Sequence, residues 1–204
     1  MTVTDDQGGT TVQAIEVVVT APIDGTKKKD DLVGSDYSDL IKGKAGNDRL
    51  TGLAGDDALD GGKGKDTLTG GAGSDDLTGR GGRDIFRFES LSDSTLKNLD
   101  HITDFNTKQD QIDAPEAIAH DSIVDLGAIK RPTTRFFKKS FSKEKQSESS
   151  FYFEPNTAAI LTTTAGEPQT LLVINDDKAG FNTKKDAVID ITGFTGKIDN
   201  LTIV

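Results

Sequence analysis

Asp30, Asp39, Asp48, Asp57, Asp66, Asp75 and Asp84 stand nine residues apart without a break. A carboxylate that recurs in phase offers oxygen acceptors and no donor, and the chemistry this suits is capture of a hard cation. Glycines keep the same period. Gly43, Gly52, Gly61, Gly70 and Gly79 precede an aspartate by five positions, and Gly46, Gly55, Gly64, Gly73 and Gly82 by two. Two residues after each aspartate comes one large apolar side chain, in turn Leu32, Ile41, Leu50, Leu59, Leu68, Leu77 and Phe86.

The elements that must position these groups follow from the same period. A glycine-rich stretch takes the positive φ values of a tight turn, and three residues around a lone aliphatic make a short strand with that side chain inward. Two units complete a coil of eighteen residues. Leu32, Leu50, Leu68 and Phe86 then stack on one sheet, and Ile41, Leu59 and Leu77 on the facing one. Turns on one side lie roughly 4.8 Å apart. This sets Asp30 over Asp48, Asp66 and Asp84, and Asp39 over Asp57 and Asp75. Carboxylates stacked so closely raise one another's pKa, and a divalent cation between them turns that conflict into a ligand set. Ca²⁺ takes six to eight oxygens, which two carboxylates and the glycine-turn carbonyls can supply. Five stacked pairs would hold five ions, whose ten positive charges would about cancel the net charge of −10. The competing reading of a Gly/Asp-rich chain is a disordered linker. A linker has no reason to hold an aliphatic in phase through seven units.

The clearest units are GGKGKDTLT from Gly61 and GGAGSDDLT from Gly70. They resemble the RTX, or hemolysin-type, calcium-binding nonapeptide repeat. The likeness is close from Gly43 to Arg87 and thinner before it, where Tyr37 replaces a glycine and the unit from Gly25 keeps little beyond Gly25, Asp30 and Leu32. The resemblance implies an all-β chain whose 25–113 segment is a parallel β-roll that folds on calcium. Its metal-binding residues would be Asp39, Asp48, Asp57, Asp66, Asp75 and Asp84, with Gly43, Gly46, Gly52, Gly55, Gly61, Gly64, Gly70, Gly73 and Gly82 lending turn carbonyls.

After Phe88 the period stops. Ser92-Asp93-Ser94-Thr95, Asp100-His101-Ile102-Thr103-Asp104-Phe105 and Asp110-Gln111-Ile112-Asp113 are similar to the segment that closes the β-roll of serralysin-type proteases. That likeness implies further calcium ligands at Asp93, Asp100 and Asp110, although Lys108 stands where the family often has glycine. The alternative is that Asp100 and Asp110 flank a strand pair with Ile102 and Phe105 inward. Residues 114–204 read as a small β domain, with strand-length runs at 151–153, 158–163, 170–175, 187–192 and 201–204 between Pro, Asn and Gly punctuation. Ile174-Asn175-Asp176-Asp177, Ala179-Gly180-Phe181 and Asp186-Ala187-Val188-Ile189 resemble the C-terminal bluetail domain of cyanobacterial surface proteins. Such proteins imply type I secretion through an uncleaved C-terminal signal, with which Leu201-Thr202-Ile203-Val204 is compatible. Residues 1–24 form an N-terminal extension.

Composition bounds the rest. With 34 acidic and 24 basic residues the chain repels nucleic acid, and it has no cysteine for disulfides or thiolate chemistry. No run reaches the length of a transmembrane segment, and no N-terminal leader is legible. Lys130, Arg131, Arg135, Lys138, Lys139, Lys143 and Lys145 with Phe136, Phe137 and Phe141 form a basic stretch. It reads as a loop lying against the acidic roll, with cell-surface polysaccharide as the other partner it could meet. His101 and His120 are the only histidines, in no zinc-protease spacing, and no nucleophile elbow is present. Asp176 and Asp177, a pair of acids that could serve hydrolysis, read as a β-turn or cation-binding loop. The expectation is a secreted, non-catalytic calcium-binding protein at the cell surface. The alternatives are a calcium-dependent adhesion or glycan-binding module, and the accessory region of a secreted hydrolase.

Overall fold

The computed structural model describes residues 21–115, 123–129, 156–176, 181–182, 184–197 and 200–204, and the backbone of four short strands outside them. The basic stretch (apart from 141–142), His120, Asp177 and most of the N-terminal extension lie outside the described residues. The strands in chain order are β1 (Thr2–Thr4), β2 (Thr10–Val12), β3 (Ile23–Asp24), β4 (Asp31–Val33), β5 (Leu40–Lys42) and β6 (Arg49–Ala54). They continue as β7 (Ala58–Gly64), β8 (Thr67–Ala72), β9 (Asp76–Gly82), β10 (Ile85–Arg87), β11 (Asp100–Ile102) and β12 (Gln111–Asp113). The last six are β13 (Ile123–Ile129), β14 (Phe141–Ser142), β15 (Phe151–Tyr152), β16 (Ala158–Thr163), β17 (Thr170–Ile174) and β18 (Ala187–Asp190). No α-helix occurs among the described residues.

Successive strands from β3 to β10 alternate between two sheets, which is the β-roll. One sheet runs β12-β10-β8-β6-β4 and the other β13-β16-β17-β18-β11-β9-β7-β5-β3. The roll strands are parallel and offset by one coil, so Leu32 pairs with Leu50, Leu50 with Leu68, and Phe86 with both Leu68 and Ile112. On the facing sheet Ile23, Ile41, Leu59, Leu77 and Ile102 form the matching column. From Ile41 to Phe86 these side chains are essentially buried. A fully buried aliphatic is worth roughly 2 kcal/mol, and each unit supplies one.

The strands outgrow the three residues expected of them. β6 and β8 have six residues, β7 and β9 seven. The reason is that the glycine turns stack backbone on backbone at the strand spacing and go on pairing, as Leu53 does with Gly71 and Gly62 with Arg80. The thin units before Gly43 are wound into the roll all the same, with the Gly25 and Gly34 N–H groups donating to Lys42 O and Thr51 O.

The boundary expected after Asp113 falls between β12 and β13, and the longer sheet runs across it. β18 adds parallel to β11, with Asp100 opposite Ile189 and His101 opposite Asp190. β17 and β16 follow antiparallel, and β13 closes the order parallel to β16. Ala158, Ile160, Leu172, Ile174, Ala187 and Ile189 share one apolar cluster with the roll column, while Ala159, Leu161, Leu171, Val173 and Val188 bury the opposite face. The 201–204 run bridges to β12 at Ile112–Ile203.

Candidate metal centre

The seven-aspartate beat becomes two ladders. In the first, the N–H of Asp30 donates to Asp48 Oδ1 at 2.9 Å, Asp48 to Asp66 at 2.8 Å, Asp66 to Asp84 at 2.9 Å and Asp84 to Asp110 at 3.0 Å. In the second, Asp39 donates to Asp57 and Asp57 to Asp75, both at 2.8 Å, and Asp75 to Asp100 at 3.0 Å. Asp100 and Asp110 therefore continue the ladders, although they lie 25 and 26 residues beyond their partners instead of 18. The loops 88–99 and 103–109 absorb the extra residues.

The second carboxylate oxygen sorts the rungs. Oδ2 of Asp48, Asp57, Asp66, Asp75 and Asp100 is buried with no hydrogen-bond partner. A buried acceptor left unpaired costs about 1–3 kcal/mol, more when it is charged. At the other three ladder ends, Asp30, Asp39 and Asp110, the protein supplies the donor. Thr26 N–H reaches Asp30 Oδ2 at 2.6 Å, Ser35 reaches Asp39 at 2.6 Å, and Asn106 reaches Asp110 at 2.8 Å. Asp93, apart from both ladders, receives Ser90 N–H at 2.9 Å.

Each orphaned oxygen on a nonapeptide rung looks into the glycine turn of its own unit. A Cβ on Gly43 would lie 2.6 Å from Asp48 Oδ2 and 2.6 Å from the Gly61 carbonyl of the next coil. On Gly61 it would meet Asp66 Oδ2 at 2.6 Å, and Gly52 and Gly70 crowd Asp57 and Asp75 in the same way. Carboxylate and carbonyl oxygens thus converge on a space that any side chain would fill. The glycines two before each aspartate serve the bend, Gly46 at φ 137° and Gly64 at φ 140° among them. No three His, Cys, Asp or Glu groups converge among the described residues, so a cation here would complete its shell with main-chain oxygens. An all-oxygen set with one or two carboxylates fits Ca²⁺.

The electrostatics point the same way. Burial, and behind it the neighbouring carboxylates, pushes Asp57 and Asp66 upward, Asp75 to about 6, Asp84 to about 7 and Asp100 to about 8, against backbone N–H bonds that lower them. Asp93 and Asp110 are raised chiefly by burial too.

Three participants escaped the sequence reading. Asp104 accepts the Gly79 and Arg80 N–H groups at 3.0 and 2.7 Å, clamping the last repeat turn. Ser94 is wholly buried between the Asp100 rung and β18. Asp186, also wholly buried and raised by burial to about 6, accepts from Asn182 and Asp176 N–H. Its turn repeats the one before Asp110, and the signal was legible, since Phe-Asn-Thr-Lys occurs at 105–108 and again at 181–184. His101 lies partly exposed on β11, 3.4 Å from Asp76.

Residues 33–68 and 52–86 match the model of the RTX calcium-binding nonapeptide repeat. The roll thus carries RTX calcium-binding repeats. Among solved structures the chain is similar to the AlgE6R3 subunit of the Azotobacter vinelandii mannuronan C5-epimerase, at 25% identity over 93% of this chain and 86% of that one, with a TM-score of 0.26. The AlgE6R2 subunit of the same enzyme gives 22% identity over 89% and 91%, with a TM-score of 0.32. No curated protein matches the chain.

Proposed function

We propose that this is a secreted, non-catalytic calcium-binding protein whose roll folds when about five Ca²⁺ ions enter the turns. The observation that carries the reading is the set of five buried carboxylate oxygens without a protein donor. When bound, the ion supplies the positive charge these oxygens lack. The chain does the rest. Its glycines leave the space, its N–H ladder fixes each Oδ1, and its aliphatic column holds successive turns in register.

Secretion is supported by the calcium balance between compartments. Extracellular modules bind at about 10⁻⁴–10⁻³ M, so the cytosol leaves such sites empty. At calcium about tenfold above Kd, five independent sites contribute roughly 7 kcal/mol, comparable to the whole stability of a small domain.

The test is circular dichroism of chelated protein titrated with CaCl₂ and, separately, MgCl₂, with bound metal counted by mass spectrometry. A cooperative β signal at submillimolar to millimolar calcium, near five ions per chain, is expected. An equal response to magnesium would sink the site model, because Mg²⁺ demands a tight octahedron these turns do not offer.

A further inference from the structure

Ser94 links two parts of the molecule that the repeats do not connect. Its Oγ accepts the Asp100 N–H at 2.9 Å and donates to the Val188 carbonyl at 2.6 Å, and its own carbonyl accepts the Val188 N–H at 2.9 Å. One fully buried serine thus satisfies both backbone groups of Val188 and holds the backbone of Asp100. Asp100 is the last rung of its ladder, pairs with Ile189 of β18, and carries one of the orphaned oxygens.

We infer that Ser94 is a positioning residue that couples cation capture at the Asp100 rung to docking of β16, β17 and β18 on the roll. The inference rests on the calcium reading above. Without a cation, the buried Asp100 carboxylate gains by leaving its rung for water. That motion takes its N–H off Ser94 and frees the serine from Val188, so β18 loses its seat on β11. With a cation in place the rung is fixed, and β11 presents the edge that β18 needs. Coupling of this kind is reciprocal, so seating β18 also tightens the rung.

Hydrogen exchange of the full chain, followed peptide by peptide along a calcium titration, tests this. In the wild type, calcium is expected to protect β6 and β8 and also β17 and β18. In Ser94→Ala the calcium midpoint for β17 and β18 is expected to rise by about tenfold relative to that for β6 and β8. An equal shift in all four strands would assign Ser94 a general packing role and overturn the inference, as would no shift. If Ser94→Ala does not fold at saturating calcium, Asp100→Asn replaces it, retaining an Oδ1 acceptor for Asp75 while removing the charge. One fewer bound ion is then expected, with β17 and β18 protected at lower calcium than in the wild type because a neutral Asn gains less by leaving its rung, and an unmoved β17–β18 midpoint overturns the coupling. Failure of the calcium reading looks different, since calcium would then protect no strand of the wild type.

Discussion

At the scale of single residues, Asp66 shows how one side chain serves two functions. Its Oδ1 accepts the Asp48 N–H and its Oδ2 is orphaned in the Gly61 turn. Asp66→Ala removes a carboxylate that the proposed function makes a cation ligand, and also leaves the Asp48 N–H buried without an acceptor. Urea unfolding in saturating calcium is expected to show a loss of about 3 kcal/mol. Asp66→Asn keeps the acceptor, so its loss should be smaller while the bound-ion count still falls. The Asp30 carboxylate, at the open end of its ladder, accepts from Thr26, and Asp30→Ala is expected to cost less than about 1 kcal/mol. If the three variants proved equal, the rungs would not be the load they are taken for. Leu53 offers a test of the opposite sign. It sits at φ 88° in a turn where other units use Gly62 and Gly71, with its side chain 43% exposed. A left-handed conformation costs a non-glycine residue about 1–2 kcal/mol, from which the extra freedom of an unfolded glycine takes back roughly half. Leu53→Gly should therefore raise the urea midpoint, and a lowered midpoint would mean that Leu53 makes contacts the strain argument ignores.

At the scale of elements, the ladders set how the fold responds to pH. Asp75, Asp84 and Asp100 have folded-state values of about 6, 7 and 8, all above the ordinary carboxylate range. Their unfolded values lie near 4, so the ion-free folded state holds protons that the unfolded chain has released. The stability these groups contribute is fully present below about pH 4 and is lost as pH rises through 6 to 8. Chelated protein should then gain β signal as pH falls from 8 to 5. Calcium, which needs the carboxylates ionised, should bind more weakly at pH 6 than at pH 8 and release protons as it binds near neutrality. A chelated chain with no pH response would show that burial does not strain these carboxylates. The elements also mark what the sequence could tell. The nine-residue period encodes both the strand column and the carboxylate stack, because a repeat forces each unit to solve the same packing problem. The ladder ends were harder, since Asp100 and Asp110 reach their rungs through loops of irregular length. Only the backbone shows which donors meet them. Strand runs such as Ala158–Thr163 were legible from their apolar content, but not their place in the roll's own sheet, because nothing in β18 says that its partner is β11.

At the scale of the whole molecule, the sheet continuity ties residues 201–204 to the aspartate ladders. Leu201 and Ile203 are buried, Ile112 N–H donates to Thr202 O at 3.0 Å, and Val204 N–H donates to Ile112 O at 2.9 Å. This run covers the free edge of β12, whose first residue follows Asp110, the last rung of the first ladder. On the calcium reading proposed above, the run is covered only once the roll has closed. The net charge of −10 favours the same order of events, since an ion-free chain repels itself and resists collapse. Carboxypeptidase digestion gives the test. In chelator, Val204 and its neighbours should be trimmed at the rate of an unfolded chain. In millimolar calcium, trimming should slow by the factor by which the run is held closed, about 100-fold for an opening cost near 2.7 kcal/mol. Ile203→Asp, which places a charge against the buried end of the column, should restore fast trimming in calcium while leaving exchange protection of β6 and β8 intact. Equal trimming with and without calcium would detach closure of this run from calcium.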